Sequence, residues 1–157
     1  MKKALAFILL IVLCLGMVAC NSDKYTKIGT SEFSIILPEG YVATEDELSE
    51  DQIAYYFKDD QSIDFDVYQW DKEEKYTLKE EALYYASEYN TTAEEIEING
   101  ISGMKYISKE TFEGKEYAVV NYMFEDEKSI VEFSFWTIDT QQEYDAVEEI
   151  INTIKKN

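Results

Sequence analysis

Tyr117-Ala118-Val119-Val120-Asn121-Tyr122-Met123-Phe124, a charged turn Glu125-Asp126-Glu127-Lys128, then Ile130-Val131-Glu132-Phe133-Ser134-Phe135-Trp136-Thr137-Ile138: this stretch decides the fold. Both arms are long and rich in aromatic and β-branched residues, which suit a pleated, packed surface. A strand sends alternate residues to opposite faces. Val131, Phe133 and Phe135 therefore share one face of the second arm, and Ile130, Trp136 and Ile138 share the other. Apolar groups on both faces imply a sheet covered on two sides, at least locally.

The same grammar continues outward. Met104 to Lys109 supplies a strand before the Glu113-Gly114 turn. Ile96 and Ile98 alternate with Glu95 and Glu97 and run into Asn99-Gly100, a pair that tolerates the positive φ angles of a tight hairpin. Ile63, Phe65 and Val67 alternate with Asp64, Asp66 and Tyr68 between Ser62 and Trp70, the pattern of a half-buried strand. Its acidic face is expected at the solvent side or at a strand end. Ile53 to Phe57 is its partner around the turn Lys58-Asp59-Asp60-Gln61, and Thr44 to Asp51 reads as a solvated loop or one helical turn. Phe33 to Leu37 is an apolar strand stopped by Pro38, which cannot donate to a ladder, with Gly40 in the turn beyond. Tyr25 to Ile28 begins a first strand, ended by Gly29.

Two helices interrupt the strands. Thr77-Leu78-Lys79-Glu80 has capping-box spacing, with a hydroxyl and a carboxylate three residues apart at a helix start. Leu78, Ala82, Tyr85, Ala86 and Tyr89 then fall on one helical face, and Asn90 closes it. Thr140-Gln141-Gln142-Glu143 repeats the box, with Tyr144, Val147, Ile151 and Ile154 as the apolar stripe. Lys155 and Lys156 are expected at the negative end of this last helix. About six or seven strands joined mostly by hairpins, flanked by two helices, make a largely antiparallel sheet of class α+β.

The N-terminus sets the address. Lys2 and Lys3 form a positive start, and an apolar run extends from Ala4 to Cys20. Met17-Val18-Ala19-Cys20 resembles a bacterial lipobox, with cleavage between Ala19 and Cys20 and lipidation, palmitate included, on Cys20. The division expected is a signal peptide over 1–19, a lipidated cysteine and short tether over 20–24, and a single domain over 25–157. The alternative is an uncleaved anchor, since a spanning helix needs roughly 17 to 25 apolar residues. Either way the domain sits outside the cytoplasm, at the outer face of a membrane. Cys14 lies within the signal, so the mature domain has no disulfide and stands on its core alone.

Composition excludes whole classes of function. The formal charge of the chain is −19, and losing Lys2 and Lys3 makes it two units more negative. Such a surface repels phosphate backbones, which excludes nucleic acid as a partner. It also leaves the lipid on Cys20 to hold the membrane without electrostatic help. There is no His and no Arg. That removes Ser-His-Asp and Cys-His catalysis, a His or Cys zinc site and a bidentate guanidinium clamp. No Gly-rich phosphate loop occurs among six glycines.

A resemblance is carried by Phe33-Ser34-Ile35-Ile36-Leu37-Pro38-Glu39-Gly40-Tyr41 and by the hairpins around Ile98-Asn99-Gly100-Ile101-Ser102-Gly103. The closing Ile150-Ile151-Asn152-Thr153-Ile154-Lys155-Lys156 completes it. Together with the mid-chain helix, this layout from Phe33 to Lys156 resembles the PsbP-like family and its DcrB-like bacterial lipoprotein relatives. The resemblance implies an antiparallel sheet sandwiched between helices, an α/β/α sandwich. It also implies non-enzymatic binding or assembly roles, which in photosynthetic members centre on a manganese- and calcium-dependent complex. It supplies no catalytic or metal-site motif.

Three functions stay open at this point. The leading one is a membrane-anchored, non-catalytic lipoprotein that binds another envelope component, protein or glycan, without a cofactor. Tyr55, Tyr56, Tyr68, Trp70, Tyr84 and Trp136 are the aromatics available to line such a face, with Trp70 expected to be exposed. The second is a divalent-cation module for calcium or manganese, with Asp59, Asp60, Asp64 and Asp66 as ligand candidates and Glu45, Asp46, Glu47, Glu50 and Asp51 as another acidic cluster. Neither cluster matches an EF-hand loop, and a solvated acidic loop and an outward strand face account for both more simply. The third is a cell-wall hydrolase working through a carboxylate pair.

Overall fold

A computed structural model describes residues 25–44, 48–57, 63–73 and 75–157. The signal and lipobox residues, Ala19 and Cys20 included, lie outside the described residues, as do Glu45, Asp46, Glu47, Asp59 and Asp60. The order is β1 (Tyr25–Gly29), β2 (Phe33–Pro38), β3 (Val42–Ala43), β4 (Gln52–Phe57), β5 (Asp64–Asp71) and α1 (Leu78–Glu88). Then come β6 (Glu94–Ile98), β7 (Ile101–Phe112), β8 (Lys115–Glu125), β9 (Ser129–Thr137), α2 (Gln141–Ile151) and β10 (Lys155–Lys156). Seven strands form one sheet in the order β3-β4-β5-β9-β8-β7-β6, and β1-β2-β10 form a second, three-stranded sheet. Every pairing is antiparallel. The class is α+β.

Turn chemistry sets the registers. Asn99 and Gly100 both hold positive φ, at 55° and 76°, and Glu113 and Gly114 do the same at 51° and 79°. These angles belong to two-residue hairpin turns whose twist matches that of the flanking strands. The β8–β9 hairpin, closed instead by Asp126 accepting from the backbone of Lys128 and Ser129, places Val120 opposite Phe135 and Tyr122 opposite Phe133. Phe65 and Val67 of β5 join the same face, and the Phe65 ring lies 4.7 Å from Phe135 and 6.1 Å from Phe133.

That face is the main core. The small sheet contributes Phe33, Ile35 and Leu37, and α2 contributes Val147, Ile150 and Ile151, all buried in the same cluster. Burying each such side chain is worth about 1.5–3 kcal/mol relative to exposure. The opposite face of the large sheet meets α1, whose Leu78, Ala82 and Ala86 pack on Met104, Tyr106, Met123 and Ile130. The two-sided strands inferred from the sequence are therefore covered by α2 and the small sheet on one side and by α1 on the other. Both capping boxes form: the hydroxyls of Thr77 and Thr140 accept from the backbone of Glu80 and Glu143, whose carboxylates accept in return.

The C-terminus departs from the expectation. α2 ends at Ile151, and Lys155 and Lys156 form β10, opposite Ser34 and Phe33 of β2, instead of extending the helix. The reason is Ile154: fully buried, it turns the chain inward. Thr153 and Ile154 donate to the carbonyls of Ile150 and Ile151 as the helix unwinds. Asn99 then clamps the turn, its side-chain amide donating to the carbonyls of Asn152 and Ile154 at 2.8 and 3.1 Å.

Candidate functional site

The α1-facing side of the large sheet reads across strands by register. One row runs Asp66, Ser134, Asn121, Tyr106 through β5, β9, β8 and β7. The next row towards α1 is Tyr68, Glu132, Met123, Met104, and the row on the other side is Asp64, Trp136, Val119, Ser108. Met104 and Met123 lie under α1. Beside the helix the face opens as a cleft of about 410 Å3. Its floor is polar: Glu132, Ser134, Asn121 and Ser108. Tyr106, Trp136 and Tyr68 stand around that floor. Trp70, Tyr85 and Tyr89 wall one side, and the segment from Ser49 to Asp51 closes another.

A buried polar floor is unusual on a sheet face, because each polar group taken from water costs stability unless it finds a partner. Here the partners are present. Glu132, 8% exposed, accepts from the Tyr106 hydroxyl and from the Ser134 hydroxyl, each at 3.0 Å. The Asn121 amide donates to Ser108 Oγ at 3.3 Å. The Trp70 indole N–H donates to Glu81 at 2.8 Å, and its ring meets Tyr85 edge-on at 5.7 Å. Burial raises the Glu132 carboxyl to about 7; the two hydroxyl donors hold it down, and the negative charges of Asp66 and Glu110 push it further up. The same burial, with Glu132 close by, raises the hydroxyls of Tyr106, Tyr68, Tyr85 and Tyr89. The ionisable groups that act most on Glu132 from β5 and β7 are Asp66, Glu110 and Tyr106, two acids and a tyrosine.

Asp66 corrects the sequence reading. The acidic side of β5 is expected from the sequence at the solvent side or at a strand end, yet Asp66 is 4% exposed and held by Gln52 and by the Trp136 indole N–H, the latter at 2.6 Å. Burial raises its carboxyl to about 6. The reason is the neighbouring strands: β4 pairs outside β5 and brings Tyr55 and Gln52 beside Asp66, and β9 brings Trp136 from the other side. Asp66 accepts from the Trp136 indole and does not line the cleft. Asp64 is half-buried, and its carboxyl is raised by burial and eased by a hydrogen bond with Tyr55. Among the described residues no three acidic side chains converge as a metal-ligand group. Asp59 and Asp60 lie outside them.

The aromatics divide. Tyr68, Trp70 and Trp136 line the cleft, whereas Tyr56 packs against the main core beside Phe65, and Tyr84 is 60% exposed. Trp70 is half-buried, not exposed. Sequence reading missed Tyr85, Tyr89, Tyr106, Asn121, Ser108, Glu110 and Glu132 as site residues. The available signal was Glu132 itself, a carboxylate inside the apolar run from Ile130 to Phe135.

No family model matches the sequence, and no curated protein matches it. Solved structures do share the architecture. A protein of Bacteroides thetaiotaomicron superposes with a TM-score of 0.62 at 18% identity, over 85% of this chain and 49% of its own, so this chain spans about half that protein's length. Cyanobacterial PsbP (CyanoP) from Synechocystis gives a TM-score of 0.66 at 8% identity, over 88% of this chain and 96% of its own. The Ran-binding protein Mog1p of Saccharomyces cerevisiae gives 0.57 at 12% identity, over 83% and 94%. The fold is PsbP-like, as the sequence resemblance implied.

Proposed function

We propose that this protein is a non-catalytic binding module of the bacterial envelope, held at the outer face of the membrane by lipid on Cys20, with the α1-side cleft as its ligand site. The observation that carries it is the cleft floor. A sheet face that could have been sealed with apolar side chains instead carries a solvent-reachable cleft of about 410 Å3 with a satisfied polar floor and aromatic walls. That combination of apolar walls and a few placed polar groups is what ligand pockets use. A PsbP-like fold agrees with a binding role but does not specify one. Lipid anchoring rests on the lipobox-like Met17-Val18-Ala19-Cys20 alone.

One observation favours a hydrolase as the second reading: two acids, Asp66 and Glu132, lie on diagonal positions of neighbouring strands with raised pKa values. An acid–base pair needs its members pushed apart, one protonated and one ionised. Here both are raised, and Asp66 is held by the Trp136 indole. Binding is the better supported reading.

Both tryptophans of the chain line the cleft, so intrinsic fluorescence reports its occupancy directly. The test is a titration with wall oligosaccharides, muropeptides and alkylammonium salts. Saturable quenching or enhancement by one class supports the site; no response to any class sinks it. Turnover of wall fragments that vanishes in Asp66→Asn or Glu132→Gln would establish the hydrolase instead. For the anchor, a palmitate analogue should label the wild type in a bacterial host and fail to label Cys20→Ser.

A further inference from the structure

The cleft lacks a counter-charge. Among its lining residues Glu132, Glu110, Glu50 and Asp51 are acidic and no lysine is present. Among the described residues every ion pair lies elsewhere, on Lys72, Lys75, Lys79, Lys105 and Lys109. A buried carboxylate without a positive neighbour is costly, and Glu132 is compensated only by two hydroxyls. An ionised carboxylate has about four lone-pair sites. Two remain for a ligand that donates.

The walls specify the kind of cation. Six aromatic side chains surround the floor, and the negative faces of aromatic rings attract organic cations, the basis of ammonium-binding cages. The volume argues the same way. At about 30 Å3 per water, a space of about 410 Å3 is far larger than a bare metal ion fills, and no three-acid group converges to ligate one among the described residues.

Resting on the binding-module reading above, we infer that the cleft takes a small organic cation, its ammonium group set against Glu132 and Glu110 and its alkyl part between Tyr89, Tyr106, Trp70 and Trp136. The uncharged hydroxyl-rich ligand is the competing outcome.

The test is calorimetric and fluorescence titration of the purified protein with choline and with putrescine. Their uncharged shape mimics, 3,3-dimethylbutan-1-ol and 1,4-butanediol, and sodium chloride at matched ionic strength run alongside. The inference expects saturable binding of at least one ammonium compound and none of the mimics. Putrescine as the tighter ligand would assign a protonated amine; choline, a quaternary one. Glu132→Gln should weaken binding about tenfold, the scale of a hydrogen bond to a charged group. Glu110→Gln, at a half-buried strand position, should weaken it in the same direction and guards against a folding defect in the first variant. Glu149→Gln removes the same charge from exposed α2, on the other side of the sheet, and should change nothing. Equal loss in all three variants would mean only the field of an acidic protein, and would overturn the inference. So would equal binding of the mimics. Binding of an N-acetylglucosamine oligosaccharide without either cation would overturn the cation while leaving the cleft a binding site; silence from every probe would overturn both.

Discussion

Replacing Glu132 with Gln keeps the size of the side chain and deletes its charge, and the consequence for stability can be worked out from the site. Burial holds the carboxyl at about 7 in the folded protein, against an ordinary 4.5. The folded state therefore binds the proton more tightly than the unfolded one. Stability from this group is fully present below 4.5 and is lost as pH rises through about 7. At 1.36 kcal/mol per pH unit, the full loss is about 3 kcal/mol. Gln does not titrate, and both of its partners are hydroxyls that donate or accept as required. The variant should match the wild type near about pH 4.5 and exceed it by about 3 kcal/mol at about pH 8. Self-repulsion of so acidic a chain also varies with pH, but it acts on both proteins and drops out of the difference. Urea unfolding followed by far-ultraviolet circular dichroism, at steps between those pH values, gives the curve. A difference that stays flat across the range would refute the reasoning, because it would mean Glu132 keeps its charge in the fold at no cost.

Thr140→Ala removes the hydroxyl that accepts from the Glu143 backbone and leaves the buried Glu143 carboxylate with only the N–H groups of Ile138 and Thr140. It should lower stability by about 1 kcal/mol or somewhat more in the same urea assay. Gly29→Ala should destabilise by more, since φ is 140° there and an added Cβ would stand 2.1 Å from the Phe33 carbonyl oxygen; a thermal melt that leaves the midpoint unchanged would contradict the β1–β2 geometry. Calcium, manganese and magnesium should raise the melting midpoint no more than sodium chloride at equal ionic strength. A true site at 100 times its Kd would add roughly 2.7 kcal/mol, several degrees, and an ion-selective shift of that size would move cation binding from second place to first.

The fold was legible because its signals are local. Asn99-Gly100 and Glu113-Gly114 announce tight turns, Thr77 and Thr140 announce helix starts, and the alternation Phe65, Val67 against Phe133, Phe135 marks the core face. What was illegible depends on packing across strands. Asp66 alternates with core residues, so the pattern alone sends it to water; only the side chains that β4 and β9 bring beside it, Gln52 and Trp136, show why it is buried. Lys155 and Lys156 suit a helix end by charge, and only the pocket that swallows Ile154 shows why they form a strand. The cleft residues come from six separate stretches, and register, not sequence spacing, brings Tyr106 and Glu132 within hydrogen-bond reach.

The cleft itself follows from a mismatch of lengths. α1 has 11 residues and β8 also has 11. At about 1.5 Å per residue the helix reaches about 16 Å, while the strand at about 3.4 Å per residue reaches about 37 Å. One short helix therefore cannot cover the face that β5, β9, β8 and β7 present. Met104, Met123 and Ile130 take the covered part and are apolar; Ser108, Asn121, Ser134 and Glu132 take the uncovered part and are polar. The switch occurs along single strands, between Met123 and Asn121 in β8 and between Ile130 and Glu132 in β9. A sequence under pressure only to seal its core would need no carboxylate at the second of these boundaries, since a neutral side chain hydrogen-bonded to Tyr106 and Ser134 would escape the penalty worked out above. Keeping a carboxylate there makes sense if its negative charge has something to meet, and that is why the stability curve of Glu132→Gln and its effect on ammonium binding should move in opposite directions.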